Sequence, residues 1–242
     1  MWQLYKKEIN TYLNALIAYI VIAVFLTSIG LLVWVFPETS ILQYGYADMY
    51  TLFSLTPYVF MFLIPAITMR SFAEEKKAGT IELLLTQPVK DIHIILGKFF
   101  SAWTIVIFAL LPTLIYYFSV YQLGSPVGNL DTAGITGSYM GLILLGGVFT
   151  SIGILASSLT ENQVVSFILA VFLSFLLFSG FNSIASLQVW ENSAYWVQRL
   201  GIMHHYDAMS RGLIDSRNLV YFLSIIILMI LVTQLRLGSR KW

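Results

Sequence analysis

Hydrophobic positions in this chain fall in long unbroken blocks rather than alternating with polar ones. Six blocks carry no charge at all: residues 15–36, 49–69, 99–121, 138–159, 164–187 and 219–235. They run from 17 to 24 residues, and a hydrocarbon core of ~30 Å needs about 20 helical residues, with a usual range of ~17–25. Period-two alternation of the barrel kind is absent, so each block predicts a membrane-spanning helix that satisfies its own backbone. Ahead of the first block, Trp2, Tyr5, Ile9, Tyr12 and Leu13 recur at three- and four-residue spacing, with Gln3, Lys6, Lys7, Asn10 and Asn14 largely on the other side. That pattern predicts an amphipathic helix lying in the membrane interface.

The blocks are not uniform inside. Pro57 and Pro65 fall in the second and Pro112 in the third; each removes a backbone donor and can bend its helix, as a hinge or as a static kink. The fourth contains Gly141, Gly146, Gly147 and Gly153, small residues that let helices approach closely. Residues 160–163, Thr-Glu-Asn-Gln, predict a tight turn that makes a hairpin of the fourth and fifth spans. Residues 91–121 would form one helix of ~46 Å, longer than a bilayer crossing, and so are expected to extend beyond the membrane or to bend at Gly97.

Composition agrees with the blocks. The 242 residues are 58% hydrophobic and 10% charged, with a mean hydropathy of +0.82, against about 25% charged in soluble domains. There is no cysteine, which removes disulfides, thiolate nucleophiles and Cys-ligated metals. The first block continues for 22 residues without a small-residue cleavage site, so it predicts a retained anchor rather than a signal peptide. A single domain over residues 1–242 is expected. Lysine and arginine fix the orientation. With a cytoplasmic N-terminus, ten of them lie inside (Lys6, Lys7, Arg70, Lys76, Lys77, Lys90, Lys98, Arg236, Arg240, Lys241) and three outside (Arg199, Arg211, Arg217). Both termini are therefore expected in the cytoplasm.

Residues 70–91 hold the densest charge in the chain, eight charged side chains between two apolar blocks. Ser71 and Glu74 have capping-box spacing, although Ser71 can equally continue the second span. Glu74, Glu75, Lys76 and Lys77 are too polar to be embedded. Gly79 predicts a break, Thr80 an N-cap for a new short helix with Glu82 near its positive end, and Pro88 a stop. Leu83, Leu84 and Leu85 would give that helix an apolar face that must bury against something. An ordinary connector needs only a few residues, so this arm predicts a docking element for a partner outside the membrane.

Residues 186–218 are the second unusual stretch, lying between spans yet rich in apolar and aromatic side chains. They predict short helices dipping into the outer leaflet or packed over the bundle. His204, His205 and Asp207 invite a metal-site reading, but neighbouring helical positions point about 100° apart and no zinc framework surrounds them; no metal is expected. No charged side chain lies inside any block, whereas ion-driven carriers keep such groups along their path. A phosphate-binding loop, a nucleophile elbow and a Ser/His/Asp set are likewise missing. An enzyme is not expected, and energy for any work must come from another protein.

Residues 74–88, Glu-Glu-Lys-Lys-Ala-Gly-Thr-Ile-Glu-Leu-Leu-Leu-Thr-Gln-Pro, resemble the cytoplasmic motif of ABC-2 type transporter permeases. The resemblance covers essentially the whole chain. Residues 205–217 and the closing Leu-Gly-Ser-Arg-Lys-Trp242 are similar to a narrower branch that includes the gliding-motility-associated permease subunit and a permease for maturation of nitrous-oxide reductase. The resemblance implies an all-α integral membrane protein of six spans in the bacterial cytoplasmic (inner) membrane. It implies an interfacial N-terminal helix, a coupling helix between spans 2 and 3, and re-entrant or outer short helices between spans 5 and 6. It implies a separate ABC-type ATPase subunit that binds the ATP, a second permease copy or related permease, and no cofactor or nucleic acid bound by this chain. By resemblance, Glu75, Gly79, Thr80, Glu82, Leu83, Leu84 and Pro88 would meet the ATPase, and Tyr206, Arg211 and Gly212 would lie near an outer gate. Two functions stay open on these grounds: ATP-driven export of an unidentified substrate, or a membrane anchor that recruits the ATPase without moving cargo.

Overall fold

The structure is a computed structural model and describes residues 1–82, 89–186, 194–213 and 215–238. Among these the regular elements are all helical, and six helices are long and apolar enough to cross a membrane. Helix α1 (Trp2–Asn14) precedes span 1, α2 (Leu16–Trp34), and the short α3 (Ile41–Tyr44) follows it. Span 2 is α4 (Tyr50–Thr68), and α5 (Ala73–Lys77) begins the charged arm. Span 3 comprises α6 (Asp91–Leu110), a 3₁₀ turn (Leu111–Thr113) and α7 (Leu114–Leu123). Span 4 is α8 (Thr132–Leu159). Span 5 is α9 (Gln163–Phe175), a π turn (Leu176–Gly180) and α10 (Phe181–Ala185). Two short helices, α11 (Ala194–Leu200) and α12 (Ile202–Ser210), lead to span 6, α13 (Ser216–Gly238). The bundle thus has an arm end, carrying α1, α5 and the turn between spans 4 and 5, and a far end carrying α3, α11 and α12.

Span 4 is the hub. Its apolar stretch is 83% buried, against 28%, 22% and 28% for spans 1, 5 and 6, and it packs against spans 2, 3, 5 and 6 as well as α12. The glycines explain why it can. A Cβ on Gly153 would stand 2.0 Å from Thr68 Oγ1 of span 2, and one on Gly137 would stand 2.3 Å from the Met209 carbonyl of α12. Side-chain bulk at either point would separate the helices. Trp103 of span 3 reaches across and donates its indole N–H to the Ile143 carbonyl, 2.8 Å away.

Several expectations change. Span 3 has no break at Gly97; the helix runs through it and is interrupted instead at the 3₁₀ turn around Pro112. Gly97 is where Leu4 of α1 seats, 2.9 Å from the place a Cβ would occupy. Spans 4 and 6 begin earlier than their uncharged blocks, at Thr132 and Ser216, because Asp131 caps the first with its carboxylate on the Gly134 N–H at 3.0 Å and polar residues tolerate the first turn. The π turn of span 5 has no counterpart in the hydrophobic pattern. It holds Phe178, which is buried and packs its ring against Tyr58, Phe149 and Tyr206.

Span 2 stays helical through Pro57 and Pro65. Proline at 57 supplies no N–H to the carbonyl four residues back, that of Phe53. The Tyr206 hydroxyl donates to this carbonyl at 2.6 Å, so an orphan created inside span 2 is satisfied by α12.

Candidate functional site: a braced arm and a far-end cavity

The arm leaves span 2 through a turn at residues 69–72 and re-forms as α5. A helix start exposes backbone N–H groups that need acceptors. Here they are met from span 4: Ser157 Oγ accepts from the N–H groups of Phe72 and Ala73 at 2.9 and 3.0 Å and donates to the Met69 carbonyl at 3.0 Å. The capping box expected from Ser71 and Glu74 does not form. Ser71 lies instead 3.3 Å from the Tyr12 hydroxyl of α1, because a neighbouring helix already supplies the cap.

Lys76, expected in water, is buried and donates to the Ser158 carbonyl. The polar run is therefore partly embedded, its lysine neutralising carbonyls that the end of span 4 leaves free. Two residues on, the helix closes as a Schellman motif. Gly79 has φ +68°, its N–H donates to the Lys76 carbonyl at 3.1 Å, and the Thr80 N–H donates to the Glu75 carbonyl at 3.0 Å. The break expected at Gly79 is present. Thr80 stands directly before helical residues 81–82, and its hydroxyl turns back to the Glu75 carbonyl at 3.3 Å. Ile81 is buried and Glu82 exposed. Leu83, Leu84, Leu85 and Pro88 lie outside the described residues.

Beneath the arm is a charge cluster that the hydrophobic pattern gave no reason to expect. Lys98 on span 3 is 2% exposed. Its Nζ lies 3.1 Å from Glu8 Oε1 on α1 and 2.8 Å from Glu75 Oε1 on α5, and 5.2 Å from the centre of the Phe72 ring. The other oxygen, Glu75 Oε2, is buried without a hydrogen-bond partner among the described residues. Three elements distant in sequence thus share one cation. Removing one member of a buried ion cluster leaves an uncompensated charge and costs about 3–5 kcal/mol. Above it, burial pushes the Tyr12 phenol up, opposed by the Ser71 hydrogen bond and assisted by the Glu8 and Glu75 carboxylates.

Helix α1 accordingly rests on span 3 with Leu4, Tyr5, Glu8, Ile9 and Tyr12 turned inward to different degrees, while Trp2 and Leu13 are exposed. The apolar face expected for it is therefore split: Tyr5 reaches Thr104 of span 3 at 3.1 Å, and Trp2 points away. A sequence signal for Glu8 exists, since it is the one acidic residue in α1, but its partner is 90 residues distant.

At the far end the three residues of the expected outer segment meet different neighbours. Tyr206 is buried against span 2 as described above. Gly212 turns the chain with φ +78°, its Cα facing the Ala133–Gly134 backbone of span 4 closely enough that a Cβ would stand 3.2 Å from it. Arg211 caps α12 and is exposed. The histidines diverge, their rings at 89°. His205 stacks on Tyr221 at 3.8 Å, and its ring nitrogens lie 2.8 Å from Asn218 Oδ1 and 2.9 Å from the Arg199 carbonyl. Burial, then the charges of His205, Arg199 and Arg211, push His204 below its ordinary range. Among the described residues no group of three or more His, Asp or Glu side chains is arranged to hold a metal. A cavity of about 450 Å³ lies between spans 2 and 4 and α12, with Asp48, Asp131, Asp207 and Arg211 in its lining.

Residues 37–236, most of the chain, match the family model described as ABC-2 family transporter protein. No curated protein matches the sequence. Six apolar helices, one of them a small-residue hub, and a family match spanning all but the first of them, lead to one conclusion: the chain belongs to the ABC-2 transporter family and is a multi-pass membrane permease subunit.

Proposed function

We propose that this permease is powered by a separate ABC-type ATPase that docks on the arm, and that it exports a substrate between two permease copies. The observation that carries the reading is the bracing of the arm. Ser157, Lys76 and the Lys98–Glu8–Glu75 cluster tie α5 to span 4, span 3 and α1 at once. A force applied beyond Gly79 therefore reaches the hub helix and does not dissipate in a slack loop. Energy enters where partner contact is possible, at the exposed Glu82 and the leucines that follow it in sequence.

The low burial of spans 1 and 5, 28% and 22%, leaves apolar faces for lipid and for a second permease copy. The ten-to-three distribution of lysine and arginine supports an arm in the cytoplasm with both termini. Resemblance of residues 205–217 to the gliding-motility branch supports a bacterial inner-membrane exporter serving surface motility. The chain itself needs no nucleotide site, since the ATPase carries it.

Co-reconstitution with the cognate ATPase tests the docking. Glu82→Lys should insert and purify normally yet lose stimulation of ATP hydrolysis by about tenfold or more. Full stimulation by that variant would place the docking surface elsewhere.

A further inference from the structure

The far-end cavity has a chemistry distinct from the rest of the molecule. Its volume of about 450 Å³ falls within the ~300–1,000 Å³ usual for small-molecule sites. Its lining includes the aromatic side chains Phe53, Tyr58 and Phe178. It also includes Asp48, Asp131 and Asp207 with a single cation, Arg211. In a chain with a net charge of only +1, this is a local excess of negative charge.

The polar groups of the wall are unequally used. The hydroxyls of Ser54, Ser138, Tyr206 and Ser210 all donate to backbone carbonyls, so these four are already engaged. Asp131 spends one oxygen on its cap. Asp207 is partly buried, and among the described residues no ion pair closes on it within 4 Å. Burial raises its pKa and the charge of Arg211 opposes the rise. A carboxylate held partly out of water is relieved by a cation. Aromatic faces beside it attract the same species through their quadrupoles.

We propose that this cavity binds an amphiphilic cation, its ammonium- or phosphonium-type head toward Asp131 and Asp207 and its apolar part against Phe53, Tyr58 and Phe178. The site goes beyond the coupling reading, since it needs neither the ATPase nor the arm, and it holds whether the ligand is carried or only regulates.

Tetraphenylphosphonium is the probe, measured by radioligand binding to the full-length permease purified in non-ionic detergent. Saturable binding is expected. Asp207→Asn and Asp131→Asn should each weaken it about tenfold, the scale of one partly screened charge contact; asparagine at 131 keeps the helix cap. Arg211→Gln should tighten binding, a gain that a misfolded variant cannot give. Triphenylphosphine oxide, similar in shape and uncharged, should compete poorly. The proposal is overturned if wild-type protein shows no saturable binding, if both aspartate variants bind like wild type, or if the neutral analogue competes equally.

Discussion

Single residues settle how the arm is held. Lys98 stands between two carboxylates in a site nearly closed to water. Lys98→Met should therefore destabilise the purified permease by about 3–5 kcal/mol, since Glu8 would remain buried and Glu75 partly buried, both unpaired. Replacing all three with apolar side chains should recover most of that loss in the same thermal-unfolding assay. Asp207 gives a pH prediction of opposite kind. Burial raises its pKa, so the folded state prefers the protonated form; the stability it holds below the ordinary carboxylate range is lost as pH rises through the raised value. Asp207→Asn should remove that step and raise the thermal midpoint at neutral pH, with no gain in acid. A variant that is more stable yet binds the cation probe less well marks a group kept for binding rather than for folding.

Helices meet through backbone features that the hydrophobic pattern hides. Tyr206 satisfies the Phe53 carbonyl that Pro57 leaves open. Tyr206→Phe should cost about 1–3 kcal/mol, the penalty of a buried unsatisfied group. In a Pro57→Ala background the carbonyl regains its helical donor, so the same substitution should cost less, and a double-mutant cycle measures the difference. Glycine contacts separate two cases in the same way. Gly153→Ala meets a side-chain atom first, Thr68 Oγ1, and should be partly rescued by Thr68→Ala. Gly137→Ala meets the Met209 carbonyl, a backbone atom that no exchange of side chains at 209 removes.

Those features explain what could be read in advance. The six spans were legible because a bilayer demands about 20 apolar residues per crossing, and Gly79 because a left-handed turn favours glycine. The helices α11 and α12 were legible because so many aromatics in one connector predict short packed or membrane-dipping helices; Tyr206 of α12 is buried, while Tyr195 and Trp196 of α11 stay exposed. Ser157 as a cap for α5 was not, since it arrives from 84 and 85 residues away while Ser71 offered a local alternative. Nor was the Lys98–Glu8 pairing. Charge counting placed Lys98 among the residues that orient the chain, where burial makes it the centre of a cluster. Of the two expectations for the start of span 3, the helix runs straight on and does not bend at Gly97: the small residue serves a neighbour, Leu4, and not the flexibility of its own helix.

At the scale of the whole molecule, span 4 joins the two ends. Its last turn holds the arm through Ser157 and Lys76, and its first turns carry α12 and one wall of the far-end cavity. In the proposed coupling, the braced arm passes force from a docked ATPase into this helix. The most direct measurement loosens the brace and leaves the docking surface intact. Glu8→Gln combined with Ser157→Ala, co-reconstituted with the cognate ATPase, should bind that subunit with nearly wild-type affinity while stimulated hydrolysis falls about tenfold. Wild-type stimulation in that variant, with binding unchanged, would contradict the account.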